Sequence, residues 1–294
     1  MKPFFQYLTF ILIILFCFSC NKNTNKNSEE NIPVFFTWEA EGIVPNKTNF
    51  VKPEKELPEG AFPWAGTVSH HLLADSLIDE WFSRLASARD IKIFYILSPS
   101  HWKLSVYDWA LTDGKWKTKN GFVESSKEHT ESLSKALDVP YDHRVFKYEH
   151  GVSVLIPYIK KYFPEAKVAA LAIWGEPPVN TVKTKKLAKV IAEHFNIQDK
   201  DSFLLISSDF SHKSNLKKTE KKDAKTRAFF ENITSLHWTS CICDNRPSIY
   251  VLSTFITEKT QCTVQRKATS YDLDDTGNTE DITSYFFTFF WEKE

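Results

Sequence analysis

Short apolar runs alternate with segments of helical periodicity along most of this 294-residue chain. The runs at 91–97 (IKIFYIL), 167–174 (KVAALAIW) and 203–207 (FLLIS) are typical of buried β-strands. The segments between them, and a further one at 150–162, repeat apolar residues at helical spacing. This alternation predicts an α/β protein with a mainly parallel or mixed sheet flanked by helices. Since no linker composition follows residue 60, we expect a single domain.

The first twenty residues have the pattern of an export signal. Lys2 precedes an apolar run that ends at Ser19 and Cys20, and the polar stretch NKNTNKNSEEN follows. The apolar run is shorter than the roughly 20 residues that a membrane span needs. The segment resembles a bacterial lipoprotein signal, although Cys17 and Phe18 depart from the usual residues before the lipidated cysteine. An uncleaved anchor helix is the alternative.

The lipoprotein interpretation divides the chain into three parts. We predict a lipoprotein signal peptide at 1–20, a polar tether with an extended arm at 21–58 and the folded domain at 59–294. Lipidation of Cys20 would anchor the protein to a membrane of the bacterial cell envelope, on its periplasmic or outer-membrane face.

The charge balance argues against one class of partner. Lys plus Arg number 37 and Asp plus Glu number 37, so the formal net charge is zero. Nucleic-acid binders usually carry a strongly basic face, and we expect no nucleic-acid partner here.

Three cysteines remain in the body of the chain after the predicted signal peptide, Cys241, Cys243 and Cys262. In an oxidising compartment, a Cys241–Cys262 disulfide that leaves Cys243 free is one hypothesis.

Polar side chains follow several of the predicted strands. His70 and His71 follow a short apolar run at 64–68, His101 follows the run at 91–97, and Asp209 and His212 follow the run at 203–207. Ligands of α/β sheets bind beyond the carboxyl ends of the strands. Imidazole, carboxylate and thiolate groups are ligands of iron, zinc and copper. The alternative for each histidine alone is a structural role in the core.

Six blocks of the sequence, in this order, resemble the Memo family, also called AmmeMemoRadiSam system protein B. The blocks are 66–74 (GTVSHHLLA), 97–101 (LSPSH), 149–151 (EHG) with 157–158 (PY), 207–212 (SSDFSH), 242–247 (ICDNRP) and the tail from 270 to 285. The family's fold resembles that of the class III, non-haem iron extradiol dioxygenases. The resemblance therefore implies an extradiol-dioxygenase-like, Memo-like domain.

The same resemblance implies a metal pocket made by two histidines and one cysteine. By motif position these are His70, His101 and Cys243, and the adjacent His71 is an alternate to His70. Asp209, His212 and His150 match positions beside that pocket. We expect them to support the ligands or to transfer protons as general acid or base.

Two departures from the family pattern bear on function. Its second carboxylate is replaced by Ser153, and its usual Cys-Gly pair reads Cys243-Asp244. A thiolate ligand would also be oxidised if oxygen were activated beside it.

We therefore predict a metal-binding protein, with iron or copper as the metal and zinc as the alternative. A metal-dependent redox activity is left open. The other two hypotheses are a non-catalytic envelope lipoprotein that binds a peptide or protein partner, and an enzyme resembling the non-haem iron dioxygenases. A small-molecule partner is equally open.

Overall fold

Seven strands form the main sheet, and its four central strands are parallel. The computed structural model describes residues 32–39, 54–175 and 179–293. The strands of this sheet are β2 (Pro63–Val68), β3 (Ile93–Pro99), β4 (Trp109–Leu111), β7 (Lys167–Ile173), β8 (Ser202–Ser207), β9 (Thr260–Thr269) and β10 (Ser284–Glu292). Their order across the sheet is β4-β7-β3-β8-β2-β10-β9, with β4, β10 and β9 antiparallel to their neighbours. The predicted α/β class with a mixed sheet is confirmed.

A second, three-stranded sheet includes part of the N-terminal arm. It consists of β1 (Val34–Phe36), β5 (Lys115–Thr118) and β6 (Gly121–Glu124). β1 runs parallel to β5, and its central residue Phe35 packs on Trp116 with ring centroids 5.3 Å apart. The residues Ile32–Glu294 form one compact unit.

The helices cover both faces of the main sheet. They are α1 (Asp75–Ala88), α2 (Lys127–Leu137), α3 (His143–Tyr148), α4 (His150–Ser153), α5 (Ile156–Tyr162), α6 (Thr181–His194), α7 (Leu216–Glu231), α8 (Arg246–Ser253) and α9 (Ser270–Leu273). Two apolar clusters fill the space between helices and sheet: one includes the buried faces of α1 and α5, and the other those of α2, α6, α7 and α8. The helical segment predicted at 150–162 is divided into α4 and α5. Pro157 lies in the first turn of α5, where a missing N–H is tolerated.

Trp81 is the centre of the packing between α1 and the sheet. Its ring is fully buried and stacks on Phe289, with centroids 4.9 Å apart and an interplanar angle of 9°. Its Nε1 donates a hydrogen bond to the carbonyl of Thr288 at 3.1 Å. Gly66 lies directly opposite, since a Cβ at this position would come within 2.6 Å of the Trp81 ring. Helix and sheet therefore approach closely at this point.

The predicted signal peptide, the lipidation residue Cys20 and most of the tether lie outside the described residues, and these features stay predictions. Among the residues that the structure describes, no helix combines the length and apolar character needed to cross a bilayer.

Candidate metal centre

The carboxyl ends of three neighbouring parallel strands supply most of the candidate site. His70 follows β2, His101 follows β3, and Asp209 follows β8, which lies between β2 and β3 in the sheet. His150 enters from the side as the first residue of α4. The strand order thus brings together residues that are far apart in the sequence, as expected for an α/β sheet.

Three imidazole rings converge at this edge of the sheet. His70, His101 and His150 each offer a ligand atom, and these atoms all lie within 4.8 Å of one another. The ring of His101 stacks on that of His150 at a centroid distance of 4.1 Å, and His70 meets both rings edge-on. A group of this kind can hold a metal ion.

Hydrogen bonds fix the tautomer of His70. Its Nδ1 lies 2.9 Å from Oγ of Ser207. The Ser207 hydroxyl donates its only proton to the carbonyl of Gly151 at 2.5 Å, so its oxygen must accept from Nδ1. In neutral His70 the proton is then on Nδ1, and Nε2 carries the lone pair that a metal requires.

Glu149 orients His101 in the same way. The carboxylate oxygen Oε1 accepts a hydrogen bond from Nδ1 of His101 at 2.6 Å, and Oε2 accepts from its backbone N–H at 2.8 Å. Oε1 also accepts from the backbone N–H of Gly151 at 2.9 Å. Since a carboxylate can only accept, Nδ1 is the protonated nitrogen and Nε2 of His101 is left for the site.

Carboxylates surround these histidines and raise their affinity for protons. For His101 burial lowers the pKa, but the nearby carboxylates of Asp244 and Glu149 outweigh it and raise the pKa from 6.5 to about 10. For His70 burial is likewise outweighed by the charges of Asp209 and Asp244, so its pKa is raised. His150 differs, because burial and the charges of His70 and His101 lower its pKa to about 4. His150 is therefore neutral at pH 7.

Asp209 lies between two histidines without a direct hydrogen bond to either. Its Oδ1 accepts from the Ser69 hydroxyl at 2.6 Å. Its Oδ2 is 3.9 Å from Nε2 of His70 and 3.9 Å from Nε2 of His212. These distances are too long for hydrogen bonds but short enough for attraction between charges. The predicted roles of Asp209 and His212 in supporting the ligands or transferring protons stay predictions.

The group of three differs in one member from the predicted set of His70, His101 and Cys243. It contains His150, which the sequence indicated only as a neighbouring residue, and it contains no cysteine. Cys243 is 8% exposed and belongs, with Cys241, to one of the apolar clusters. Its neighbour Asp244 faces the histidines instead, with Oδ2 3.3 Å from Nε2 of His70.

Two further sequence hypotheses can be compared with the structure. His71, the alternate ligand, is not in the group of three, and its Nδ1 lies against the hydroxyl of Tyr285. The proposed Cys241–Cys262 disulfide is absent from the described part of the chain, where Cys241, Cys243 and Cys262 are all free thiols.

A cavity of about 650 Å³ opens beside the three rings. Its wall includes His70, His150, Leu72, Trp38 and Trp102. Trp38 and Trp102 both lie against His150, with centroid distances of 6.0 Å and 6.5 Å. A volume of this size accommodates a small organic molecule.

Three residues of the site were missed in the sequence: Glu149, Ser207 and Asp244. All three lie within blocks of the family resemblance, at 149–151, 207–212 and 242–247. Their position in the same blocks as the candidate site residues was the available signal, because metal-binding histidines are commonly held by such partners.

The chain is similar to a set of known proteins over most of its domain. A family model described as "Memo-like protein" matches residues 71–273. A MEMO1 family protein of Pyrobaculum aerophilum is 27% identical over 168 residues, which are 56% of this chain and 55% of that protein. MEMO1 family proteins of Caldivirga maquilingensis and Sulfurisphaera tokodaii are 24% and 26% identical, over 62% and 61% of this chain. The matches span 55%, 62% and 63% of these relatives' own lengths.

Proposed function

The chain belongs to the Memo-like protein family, and on that premise we propose that it binds one transition-metal ion, iron or copper, at the edge of its sheet. The observation that carries the proposal is the convergence of His70, His101 and His150, whose ligand atoms lie within 4.8 Å of one another. The fixed tautomers of His70 and His101 support it, since both direct an unprotonated Nε2 into the site when neutral.

The surrounding charges also suit a cation. In the metal-free protein, the two protonated histidines His70 and His101 face three carboxylates, Glu149, Asp209 and Asp244, so the group of charges is negative overall. A divalent cation can take over that positive charge when these protons leave. The carboxylates thus favour a cation, and the rings of His70 and His101 are already oriented by hydrogen bonds.

Metal analysis tests this function. We expect the anaerobically purified chain, reconstituted with Fe(II) or Cu(I) and desalted, to retain near-stoichiometric metal. The His70→Ala/His101→Ala/His150→Ala variant should retain almost none, because all three rings are gone. The matched control, His143→Ala/His194→Ala/His237→Ala, removes three imidazoles outside the site and should bind like the parent. Equal retention by parent and site variant, or none in the parent, would contradict the proposal.

A second candidate function is a metal-dependent redox reaction of a small organic molecule, and the adjoining cavity favours it. A bound iron or copper ion would supply the redox chemistry. Of this chain's residues, Trp38 and Trp102 would exclude water from one wall, and His212 would move a proton at Nε2 beside Asp209.

Replacing His212 separates the two functions. If the protein is an enzyme, His212→Ala is expected to lower metal-dependent turnover about 100-fold or more, because general acid–base catalysis contributes that much. The bound metal should stay, since His212 is outside the group of three. The measurements are metal content and oxygen uptake in a substrate screen. A metal carrier would show no turnover in the parent and at most a small change in affinity in the variant.

A further inference from the structure

One carboxylate oxygen at the centre of the site has no hydrogen-bond partner. Oδ1 of Asp244 accepts hydrogen bonds from the Ser208 hydroxyl at 2.8 Å and from the backbone N–H of Asp209 at 3.1 Å. Oδ2 of the same carboxylate is buried and receives no hydrogen bond from any described residue. A buried oxygen of this kind is costly unless a positive group faces it.

Two histidine nitrogens face this oxygen. They are the Nε2 atoms of His70 and His101, whose Nδ1 atoms are already hydrogen-bonded to Ser207 and Glu149. Oδ2 of Asp244 lies 3.3 Å from Nε2 of His70 and 3.8 Å from Nε2 of His101. Ligand bonds to transition metals are about 2.1 Å long, so two ligands of one ion are about 3.0–3.4 Å apart at right or tetrahedral angles. The distance from Oδ2 to His70 has the spacing of two ligands around a common ion, and the distance to His101 is slightly longer. The ligand atoms offered by His70 and His101 lie within 4.8 Å of each other, and the donor set fits a metal.

The segment that carries Asp244 is held in place by the strand ends. The backbone N–H of Asp244 donates to the carbonyl of Asp209 at 3.0 Å. The adjacent Asn245 donates through Nδ2 to the carbonyls of Leu97 and Ser207, each at 2.9 Å. Asp244 is therefore positioned by the same strands, β3 and β8, that position the site.

We propose that Asp244, rather than Cys243, is the ligand that completes the centre with His70 and His101, so that the site is formed by two histidines and one carboxylate. This inference rests on the proposed metal binding and specifies its ligand chemistry. A carboxylate in place of a thiolate favours Fe(II), Mn(II) or Co(II) over Cu(I), which prefers sulfur. His150, stacked on His101, stays beside the centre as a neutral ring facing the cavity.

Cobalt substitution tests the identity of the ligand without any assay of activity. A thiolate bound to Co(II) gives an intense charge-transfer band in the near ultraviolet, and a carboxylate does not. We expect the Co(II)-loaded chain and its Cys243→Ser variant to have the same spectrum without this band. The Asp244→Cys variant should gain the band, because its sulfur would occupy the position of the carboxylate.

Metal affinity gives a second readout. We expect Asp244→Asn, which keeps the size of the side chain, to weaken Co(II) and Fe(II) binding at least about tenfold in competition titrations. Cys243→Ser should leave the affinity within about twofold of the parent. Circular dichroism of each metal-free variant establishes that it is folded. If Asp244→Asn does not fold, the spectra of the parent and of Cys243→Ser decide the question alone.

The outcomes separate this inference from the proposed function. A thiolate band in the parent that disappears in Cys243→Ser would overturn the role of Asp244 and leave metal binding intact. Unchanged affinity in Asp244→Asn would do the same. If the parent binds none of these ions, the proposed function and this inference both fail.

Discussion

Replacing Glu149 by alanine is expected to destabilise the metal-free fold by about 3–5 kcal/mol, because it removes one partner of a buried, hydrogen-bonded ion pair. Three donors lose their acceptor: Nδ1 and the backbone N–H of His101, and the backbone N–H of Gly151. Metal affinity should also fall about 10–100-fold, since the orientation and tautomer of His101 depend on this carboxylate. Urea denaturation and metal competition measure the two effects.

The pH dependence of stability provides a further check on the same variant. The pKa of His101 is raised from 6.5 to about 10 in the metal-free fold. Protonated His101 therefore contributes its full stabilisation below pH 6.5, and the contribution is lost as the pH rises towards 10. In Glu149→Ala this decline should be smaller, because one of the two carboxylates that raise the pKa is gone.

An exposed glutamate serves as the matched control. Glu131 forms an ion pair with Lys135 one helical turn away on the surface of α2. Glu131→Ala should change the free energy of unfolding by less than about 0.5 kcal/mol and leave metal affinity as it was. A Glu149→Ala protein as stable as this control would contradict the assigned role of Glu149.

Replacing Trp81 by alanine should cost about 3–5 kcal/mol of unfolding free energy. The ring is fully buried, stacks on Phe289 and donates a hydrogen bond to the carbonyl of Thr288. Its removal leaves a cavity that the neighbouring strands cannot fill, because β2 and β10 are tied to each other by backbone hydrogen bonds. Urea denaturation followed by far-UV circular dichroism measures the loss.

Trp102 provides the comparison for this variant. It is 59% exposed, and Trp102→Ala should lose less than about 1 kcal/mol. Equal losses of unfolding free energy in the two tryptophan variants would contradict the conclusion that Trp81 stabilises the fold through its burial.

The sequence predicted the sheet because its central strands are long, buried and apolar. Apolar runs such as 167–173 are stable only when they are buried in the interior. Their alternation with helical segments along the chain indicates parallel strands. The strands β4, β5 and β6 were missed because they are only 3–4 residues long, which is too short for a period of two to be recognised. The family model confirms the predicted family. The family was predictable because several of its sequence blocks lie at the ends of the long strands.

The sequence predicted where the candidate site lies, but it did not predict every residue that forms it. The positions of His70 and His101 follow from the strands that precede them. The choice between Cys243 and Asp244 does not, because the two residues lie in a bend and a turn before α8, where no periodicity of the sequence indicates which side chain faces the site. Only the hydrogen bonds of Asp244 and Asn245 to the strand ends establish which of the two faces the histidines.

The assembly of the centre from distant strand ends has a consequence for how the ion is acquired. His70, His101, His150 and Asp244 are separated by long stretches of chain, so an unfolded chain would have to close several large loops to bring them together. Under the proposed metal binding, the ion would therefore enter after folding and bind the native state only. At a free ion concentration 100 times the dissociation constant, this linkage would add about 2.7 kcal/mol to stability. A cell that is starved of the metal would then hold a folded but more easily degraded protein.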